Sequence, residues 1–173
     1  VLPAEGLSTI KEKFDVVICS EVLEHLTDPS GLLSELHNMM TNNGMLIVTV
    51  PNGLGPRELL VTRPMIFIRD HLNWFLGFVL YVKKIFGYSG TTVQSAADNL
   101  DHIQFFTKGG LRRMAKTNNY SITTFRHSNF IDDVFPFSLI ARKSPMIQKI
   151  DSKIADLLPS VFVGGFFSIW KNK

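Results

Sequence analysis

A strand–helix–strand pattern near the start of the chain constrains the fold more than any other feature. Residues 14–20 (FDVVICS) form a β-branched run that is apolar on both faces, as in a strand buried between helices. Asp28 and Pro29 mark a helix start, and the apolar stripe that follows has helical spacing up to residues 42–44. Residues 45–50 (MLIVTV) then form a second buried strand. This order predicts an α/β fold with a right-handed crossover between parallel strands.

The second half of the sequence predicts further elements of the same domain. Thr107 is placed to cap an amphipathic helix, and residues 120–126 alternate like a strand. Residues 135–141 form a second such run, so the two predict an antiparallel ribbon at a sheet edge. A last helix is predicted over residues 145–158, and an apolar tail follows over residues 161–170.

Residues 54–100 differ in character from the rest of the chain. A short helix around residues 57–61 is expected to break at Pro64. Residues 65–86 are then apolar and rich in aromatic side chains, but their longest uncharged stretch, 72–82, falls short of the roughly 20 residues of a membrane span. The segment is therefore interpreted as a buried helix, a lid over an apolar acceptor, or a peripheral contact with a membrane surface.

The charge and the cysteine content limit the partners and the cellular locations that the sequence predicts. The net charge is +3, and Lys and Arg form no run longer than two residues, which neither demands nor excludes a nucleic-acid partner. No basic strip interleaved with aromatic residues is visible, so such a partner is not expected. The single cysteine, Cys19, excludes an intrachain disulfide and favours a reducing, cytoplasmic location.

Three segments resemble the class I S-adenosylmethionine-dependent methyltransferases. Residues 14–26 (FDVVICSEVLEHL) are similar to that family's fourth strand and following turn, and residues 33–52 to its passage from a helix into the fifth strand. Residues 102–111 (HIQFFTKGGL) resemble the entry to the next helix. The resemblance covers about residues 4–51 and 100–141. It implies an enzyme of Rossmann-like methyltransferase fold, with a mostly parallel sheet and an antiparallel edge ribbon.

The resemblance also implies a division of the chain. Residues 1–143 correspond to the C-terminal part of a methyltransferase domain, residues 54–100 to a helical insertion or lid, and residues 144–173 to a C-terminal helical extension. No glycine-rich turn precedes Phe14, so strands one to three, roughly 70–100 residues, are expected upstream. Without them the first strand presents a bare edge, which predicts aggregation or pairing into a dimer.

The family's cofactor site implies five candidate residues. Ala4 and Glu5 follow the position of the third strand, and Ser20, Glu21 and Val22 follow the fourth. Ligands of open α/β sheets bind outside the carboxyl ends of the strands, where these residues are expected. The implied cofactor is S-adenosylmethionine, and the implied reaction is methyl transfer to a hydroxyl of a small-molecule or a lipid- or glycan-linked acceptor.

Acidic and histidine side chains supply the candidate chemistry. Glu21, Glu24 and His25 have the i, i+3, i+4 spacing of one helix face, and His102 is a candidate fourth ligand for Mg²⁺ or another divalent ion. This set resembles that of metal-dependent small-RNA 2′-O-methyltransferases and of ubiquinone-pathway O-methyltransferases. Without a metal, His25 or His102 is a candidate general base, or only a structural histidine.

Three functions stay open at this point. The first is methyl transfer to a small or lipid-linked hydroxyl, and the second is metal-dependent RNA 2′-O-methylation. The third is a non-catalytic scaffold or a membrane-associating module that lacks the cofactor half. The fold alone does not choose among them.

Overall fold

The sheet in the computed structural model combines one parallel and two antiparallel pairs of strands. The structure describes residues 7, 10–72, 77, 81, 85, 102–130 and 144–173. Within these residues four strands pair in the order β1-β2-β4-β3. The strands and α-helices are β1 (Phe14–Ser20), α1 (Pro29–Met39), β2 (Met40–Pro51), α2 (Arg63–His71), α3 (Lys108–Thr117), β3 (Tyr120–His127), α4 (Pro145–Leu157) and β4 (Gly165–Asn172).

The predicted strand–helix–strand unit is present, with β1 and β2 parallel. The Asp28 carboxylate caps α1 by accepting a hydrogen bond from the Gly31 N–H at 3.1 Å. β2 starts earlier than predicted, because Met40 already pairs with Phe14. The Thr41 hydroxyl donates to the Asp15 carboxylate at 2.8 Å, which holds this early part of β2 against β1.

The strand β4 occupies the middle of the described sheet. It runs antiparallel to β2 on one side and to β3 on the other. An antiparallel pair lies at the β3 edge of the described sheet, but the partner of β3 there is β4. The predicted partner of residues 120–126, residues 135–141, lies outside the described residues, so that pairing stays a prediction. The prediction of a helical extension over 144–173 holds for α4 only. Phe166, Ser168 and Trp170 are buried, so the last residues gain more by entering the sheet than by forming a helix.

The strand β1 is less buried than its sequence predicts. Val16 and Ile18 are 49% and 68% exposed, although the run was expected to be covered on both faces. The exposure is limited to one face, because the exposed Phe14, Val16 and Ile18 alternate with Val17 and Cys19, and Cys19 is buried. In addition, β1 is an edge strand of the described sheet and pairs there only with β2. An exposed apolar edge of this kind favours pairing with another chain segment.

The helical segment after β2 continues through Pro64. A π-helical turn covers Glu58–Thr62, and α2 follows without a break, so the predicted break at Pro64 was wrong. Pro64 is the second residue of α2, and the π-helical turn directly before it replaces the regular α-helical hydrogen bonding that a proline interrupts. Among the residues that the structure describes, no helix is long and apolar enough to cross a membrane.

Candidate functional site

The carboxyl ends of β1 and β2 form one edge of the sheet, where the first site residues lie. The Ser20 and Thr49 hydroxyls are hydrogen bonded at 2.7 Å, and the Glu21 N–H donates to the Thr49 carbonyl at 3.0 Å. Glu21 adopts a φ of 52°, a left-handed conformation that is uncommon for glutamate. The chain thus turns sharply at the end of β1, where parallel α/β sheets bind their ligands.

A short turn after Glu21 holds the segment that carries His102. Leu23–His25 form a single 3₁₀ turn with the Leu23 side chain fully buried. The backbone carbonyl of Glu24 accepts two hydrogen bonds, from the N–H groups of Ile103 and Gln104, both at 2.9 Å. These bonds place the His102 ring edge-on to the His25 ring, with their centroids 5.0 Å apart.

Glu58, in the π-helical turn, fixes the orientation of the His102 ring. Glu58 is 1% exposed, and each of its two carboxylate oxygens lies 3.4 Å from the His102 Nδ1. The hydrogen bond to Glu58 raises the pKa of His102 above its ordinary value, although burial acts in the opposite direction. The Nδ1 atom therefore carries a proton toward Glu58, and Nε2 is the ring nitrogen left to accept one.

The Glu24 carboxylate is buried beside the two histidines. The Glu24 Oε1 lies 3.7 Å from the His25 Nε2. Neither carboxylate oxygen accepts a hydrogen bond from another residue that the structure describes. Burial raises the pKa of Glu24, and the Glu21 carboxylate adds to the rise. An orphaned buried carboxylate is costly, which marks this position as a candidate ligand-binding group.

Cys19 also lies near this cluster but has little reactivity. Burial, followed by the charge of Glu24, raises the pKa of the Cys19 thiol to about 12. A thiol with so high a pKa stays protonated at neutral pH and is a poor nucleophile. It packs as a small core residue at 4% exposure.

The structure brings together most, but not all, of the predicted metal ligands. One ligand atom from each of Glu24, His25 and His102 lies within 4.8 Å of the other two. Glu21 is not a member of this group, because the turn after it is 3₁₀ rather than α-helical and covers only Leu23–His25. The predicted spacing of a single helix face therefore does not apply to Glu21.

The predicted cofactor residues divide between described and undescribed parts of the chain. Ser20, Glu21 and Val22 lie at the carboxyl end of β1, where the sequence places them. Ala4 and Glu5 lie outside the described residues. Their binding of a cofactor stays a prediction.

Asn52 joins the turn after β2 to the segment before β4 by hydrogen bonds at the carboxyl end of β2. Its side-chain amide donates to the carbonyls of Ser160 and Val163 at 2.6 and 2.8 Å, and its side-chain oxygen accepts from the Leu54 N–H at 3.2 Å. The residue is 1% exposed, so these bonds replace water completely. Asn52 therefore fixes the turn after β2 and the segment before β4, rather than presenting its amide to a ligand.

Replacing Asn52 by alanine is expected to lower the free energy of unfolding by about 2–4 kcal/mol, because two buried carbonyls lose their donor. Urea denaturation followed by far-UV circular dichroism measures this difference. The matched control is Asn42→Ala at an exposed position of β2, which should stay within about 0.5 kcal/mol of the wild type. Equal stabilities of the two variants would contradict the assigned role of Asn52.

Two residues of this region could not be assigned from the sequence alone. Glu58 lies 44 positions from its partner His102, and a glutamate beside Arg57 at a helix start gives no sequence signal for that contact. The role of Asn52 depends on residues more than 100 positions away. Both contacts are made by the tertiary fold, which local patterns do not encode.

Comparison with known proteins identifies the class and then the family. The fold is that of the class I, Rossmann-like methyltransferases, because the chain superimposes on solved members of that class. A crystal structure of an S-adenosylmethionine-dependent methyltransferase from Archaeoglobus fulgidus matches with a TM-score of 0.52 at 14% identity, over 98% of this chain and 64% of that one. PKMT2 from Rickettsia typhi matches with a TM-score of 0.50 at 11% identity, over 94% and 36% of the two chains.

The family is established by sequence. The family described as "Methyltransferase domain" matches residues 4–124, more than half of the 173 residues, and the chain belongs to this family. A ubiquinone biosynthesis O-methyltransferase from Glaesserella parasuis serovar 5 (strain SH0165) is 32% identical over 53 residues. That alignment covers 31% of this chain and 22% of the relative, so the chain spans about a fifth of that enzyme.

Proposed function

We propose that the protein transfers a methyl group from S-adenosylmethionine to a hydroxyl of a small-molecule or lipid- or glycan-linked acceptor. The observation that carries the proposal is the Glu58–His102 pair, which lies beside the carboxyl edge of the sheet in a chain of the methyltransferase domain family. The O-methyltransferase among its relatives supports an oxygen acceptor.

In this proposal His102 is the general base for the acceptor hydroxyl. S-adenosylmethionine supplies a methyl group on a sulfonium sulfur. As the acceptor oxygen bonds to the methyl carbon, the carbon–sulfur bond breaks with its electron pair on sulfur. The hydroxyl proton passes to Nε2 of His102, and Glu58 stabilises the resulting imidazolium through Nδ1. The remaining catalysis is positioning of the oxygen in line with the methyl group.

A divalent ion is an alternative way to activate the same hydroxyl. Glu24, His25 and His102 fit such an ion, because a buried carboxylate without a hydrogen-bond partner among the described residues faces two imidazoles. Bound there, the ion would lower the pKa of the acceptor hydroxyl. Mn²⁺ titration monitored by electron paramagnetic resonance distinguishes activation of the hydroxyl by a metal ion from activation by His102 alone. Binding that Glu24→Gln abolishes supports the metal, and no binding supports the base alone.

The acceptor class is tested with three probes and tritium-labelled S-adenosylmethionine. We expect label transfer to an alkyl glucoside or an alkyl catechol, and none to an RNA oligonucleotide, because the net charge of +3 offers little attraction to phosphates. Label on the RNA would instead support the 2′-O-methyltransferase alternative. Titration of S-adenosylhomocysteine by calorimetry into this chain, and in parallel into a chain extended upstream, provides an independent check. Binding by neither chain would favour the non-catalytic scaffold.

A further inference from the structure

Helix α4 exposes a continuous apolar stripe. Met146, Ile150, Ile154 and Leu157 follow one another at intervals of four, four and three residues, which places them on one side of the helix. They are 71%, 47%, 41% and 86% exposed. The stripe continues into the next turn, Ser160–Phe162, through side chains that are half exposed. A contiguous apolar surface of this kind marks an interaction site, whereas single exposed apolar residues do not.

The opposite side of α4 fixes the helix so that this stripe cannot turn inward. Asp151 and Ala155 are buried, and the Asp151 carboxylate accepts a hydrogen bond from the Phe130 N–H at 2.6 Å. The Ala155 carbonyl lies 2.8 Å from the His127 Nδ1, and the His127 Nε2 lies 3.1 Å from the Ser160 hydroxyl. Rotation of α4 would bury the stripe only by breaking all of these contacts and exposing the present packing face.

Two lysines border the stripe. Lys149 and Lys153 are one turn apart and exposed, and at about 100° per residue they lie directly beside Met146 and Leu157. Apolar side chains flanked by cations on one face are typical of helices that lie in the interface of an anionic membrane. A second copy of the chain is a poorer fit, because its stripe carries the same two lysines and brings no acidic residue of its own to pair with them.

The segment that follows the stripe lies at the end of the sheet that carries the candidate site. Pro51, the last residue of β2, pairs with Gly165, the first residue of β4. The segment that joins α4 to β4 is therefore held at the carboxyl edge of β2, and the Asn52 amide bonds to it at Ser160 and Val163. A membrane bound by the stripe would meet the same edge to which an acceptor must come.

We propose that the apolar stripe of α4, with Lys149 and Lys153, is a docking surface for membranes that contain anionic lipids. This inference rests on the proposed methyl transfer and narrows its acceptor to a lipid-linked one, presented at the membrane surface. Vesicle binding and cofactor binding are separate observations, so failure of one is distinguishable from failure of the other.

The experiment is flotation of the purified protein with vesicles of phosphatidylcholine alone and with 40% phosphatidylglycerol, at 50 and 300 mM NaCl. We expect binding to the anionic vesicles that weakens at high salt. The Lys149→Gln/Lys153→Gln variant should bind about 30-fold more weakly, and Met146→Gln/Leu157→Gln at least about tenfold more weakly. The substitutions lie at exposed positions, so near-UV circular dichroism should be unchanged.

The matched control neutralises two lysines at the opposite edge of the sheet. Lys116 lies in the last turn of α3 and Lys171 near the end of β4, and both are exposed. Lys116→Gln/Lys171→Gln makes the same change in net charge and should bind vesicles at least about ten times more tightly than the Lys149/Lys153 variant. Equal loss in both lysine variants, or undiminished binding by Met146→Gln/Leu157→Gln, would overturn the proposal. A dimer that only the α4 variants dissociate, with no vesicle binding, would assign the stripe to a second copy.

Discussion

His102→Ala is expected to lower the maximal rate of methyl transfer by about 10²–10⁴-fold, the range for loss of a positioned general base. The Kd for S-adenosylhomocysteine should be unchanged, because the proposed role of His102 is to accept a proton from the acceptor. Tritium transfer at saturating S-adenosylmethionine measures the first quantity and calorimetry measures the second. His71→Ala, at an exposed position of α2, is the control and should retain the wild-type rate.

The pH profile distinguishes a catalytic His102 from a structural one. Only the neutral imidazole accepts a proton, so activity should rise as the pH increases through the pKa of His102. The Glu58 hydrogen bond raises that pKa. Glu58→Gln should therefore shift the rising limb of the pH profile to lower pH. It should also lower the maximal rate, because an imidazole of lower pKa is a weaker base and accepts the hydroxyl proton less readily. A profile that Glu58→Gln leaves unchanged would exclude His102 as the base.

The same interaction links His102 to stability. A histidine whose pKa is raised on folding stabilises the protein most below its unfolded pKa, and this contribution is lost as the pH rises through the folded value. Buried Glu24 acts in the same direction, because its raised pKa means that ionisation is disfavoured in the folded state. The contributions of His102 and Glu24 to the free energy of unfolding are therefore smallest at the higher pH at which His102 is neutral and can act as a base.

The parts of the fold that follow from local pattern were predictable. The unit β1–α1–β2 rests on apolar spacing, the Asp28 cap and Pro29, all within 40 residues. The position of β4 was not predictable, because it depends on pairing Trp170 with Leu46, more than 120 positions away. The run before Trp170 is apolar and contains two glycines, which fits a strand, a loop or a tail equally well.

The candidate site likewise combines residues that the sequence identifies with contacts that only the tertiary structure makes. His25 and His102 were identified from motif resemblance, and the structure places their rings in contact. The predicted grouping of Glu21 with Glu24 assumed an α-helical turn, and the single 3₁₀ turn at Leu23–His25 removes that spacing. Glu58 comes from a different segment altogether, so its role follows only from tertiary structure.

Gly53 explains how the His102 segment can approach the sheet so closely. The Gly53 N–H donates to the Phe106 carbonyl at 2.8 Å, and Asn52 forms a parallel bridge with the same residue. A Cβ at position 53 would lie 2.6 Å from the Phe105 Cβ and 2.8–2.9 Å from its backbone carbons. Because backbone atoms cannot rotate away, any larger residue must push the 102–106 segment off the turn.

Gly53→Ala is therefore expected to lower the free energy of unfolding by about 3 kcal/mol and to reduce methyl transfer at least tenfold. Urea denaturation measures the first, and tritium transfer well below the melting temperature measures the second, so that loss of folded protein does not account for lost activity. Gly109→Ala in α3 is the matched control, since its added Cβ meets no atom within 4 Å. Alanine favours a helix more than glycine does, so this variant should instead gain about 0.5–1 kcal/mol and keep its activity. Equal stability and equal activity of the two variants would contradict this role of Gly53. Close packing of the turn against Phe105 would then not be the contact that positions His102 beside Glu24 and His25.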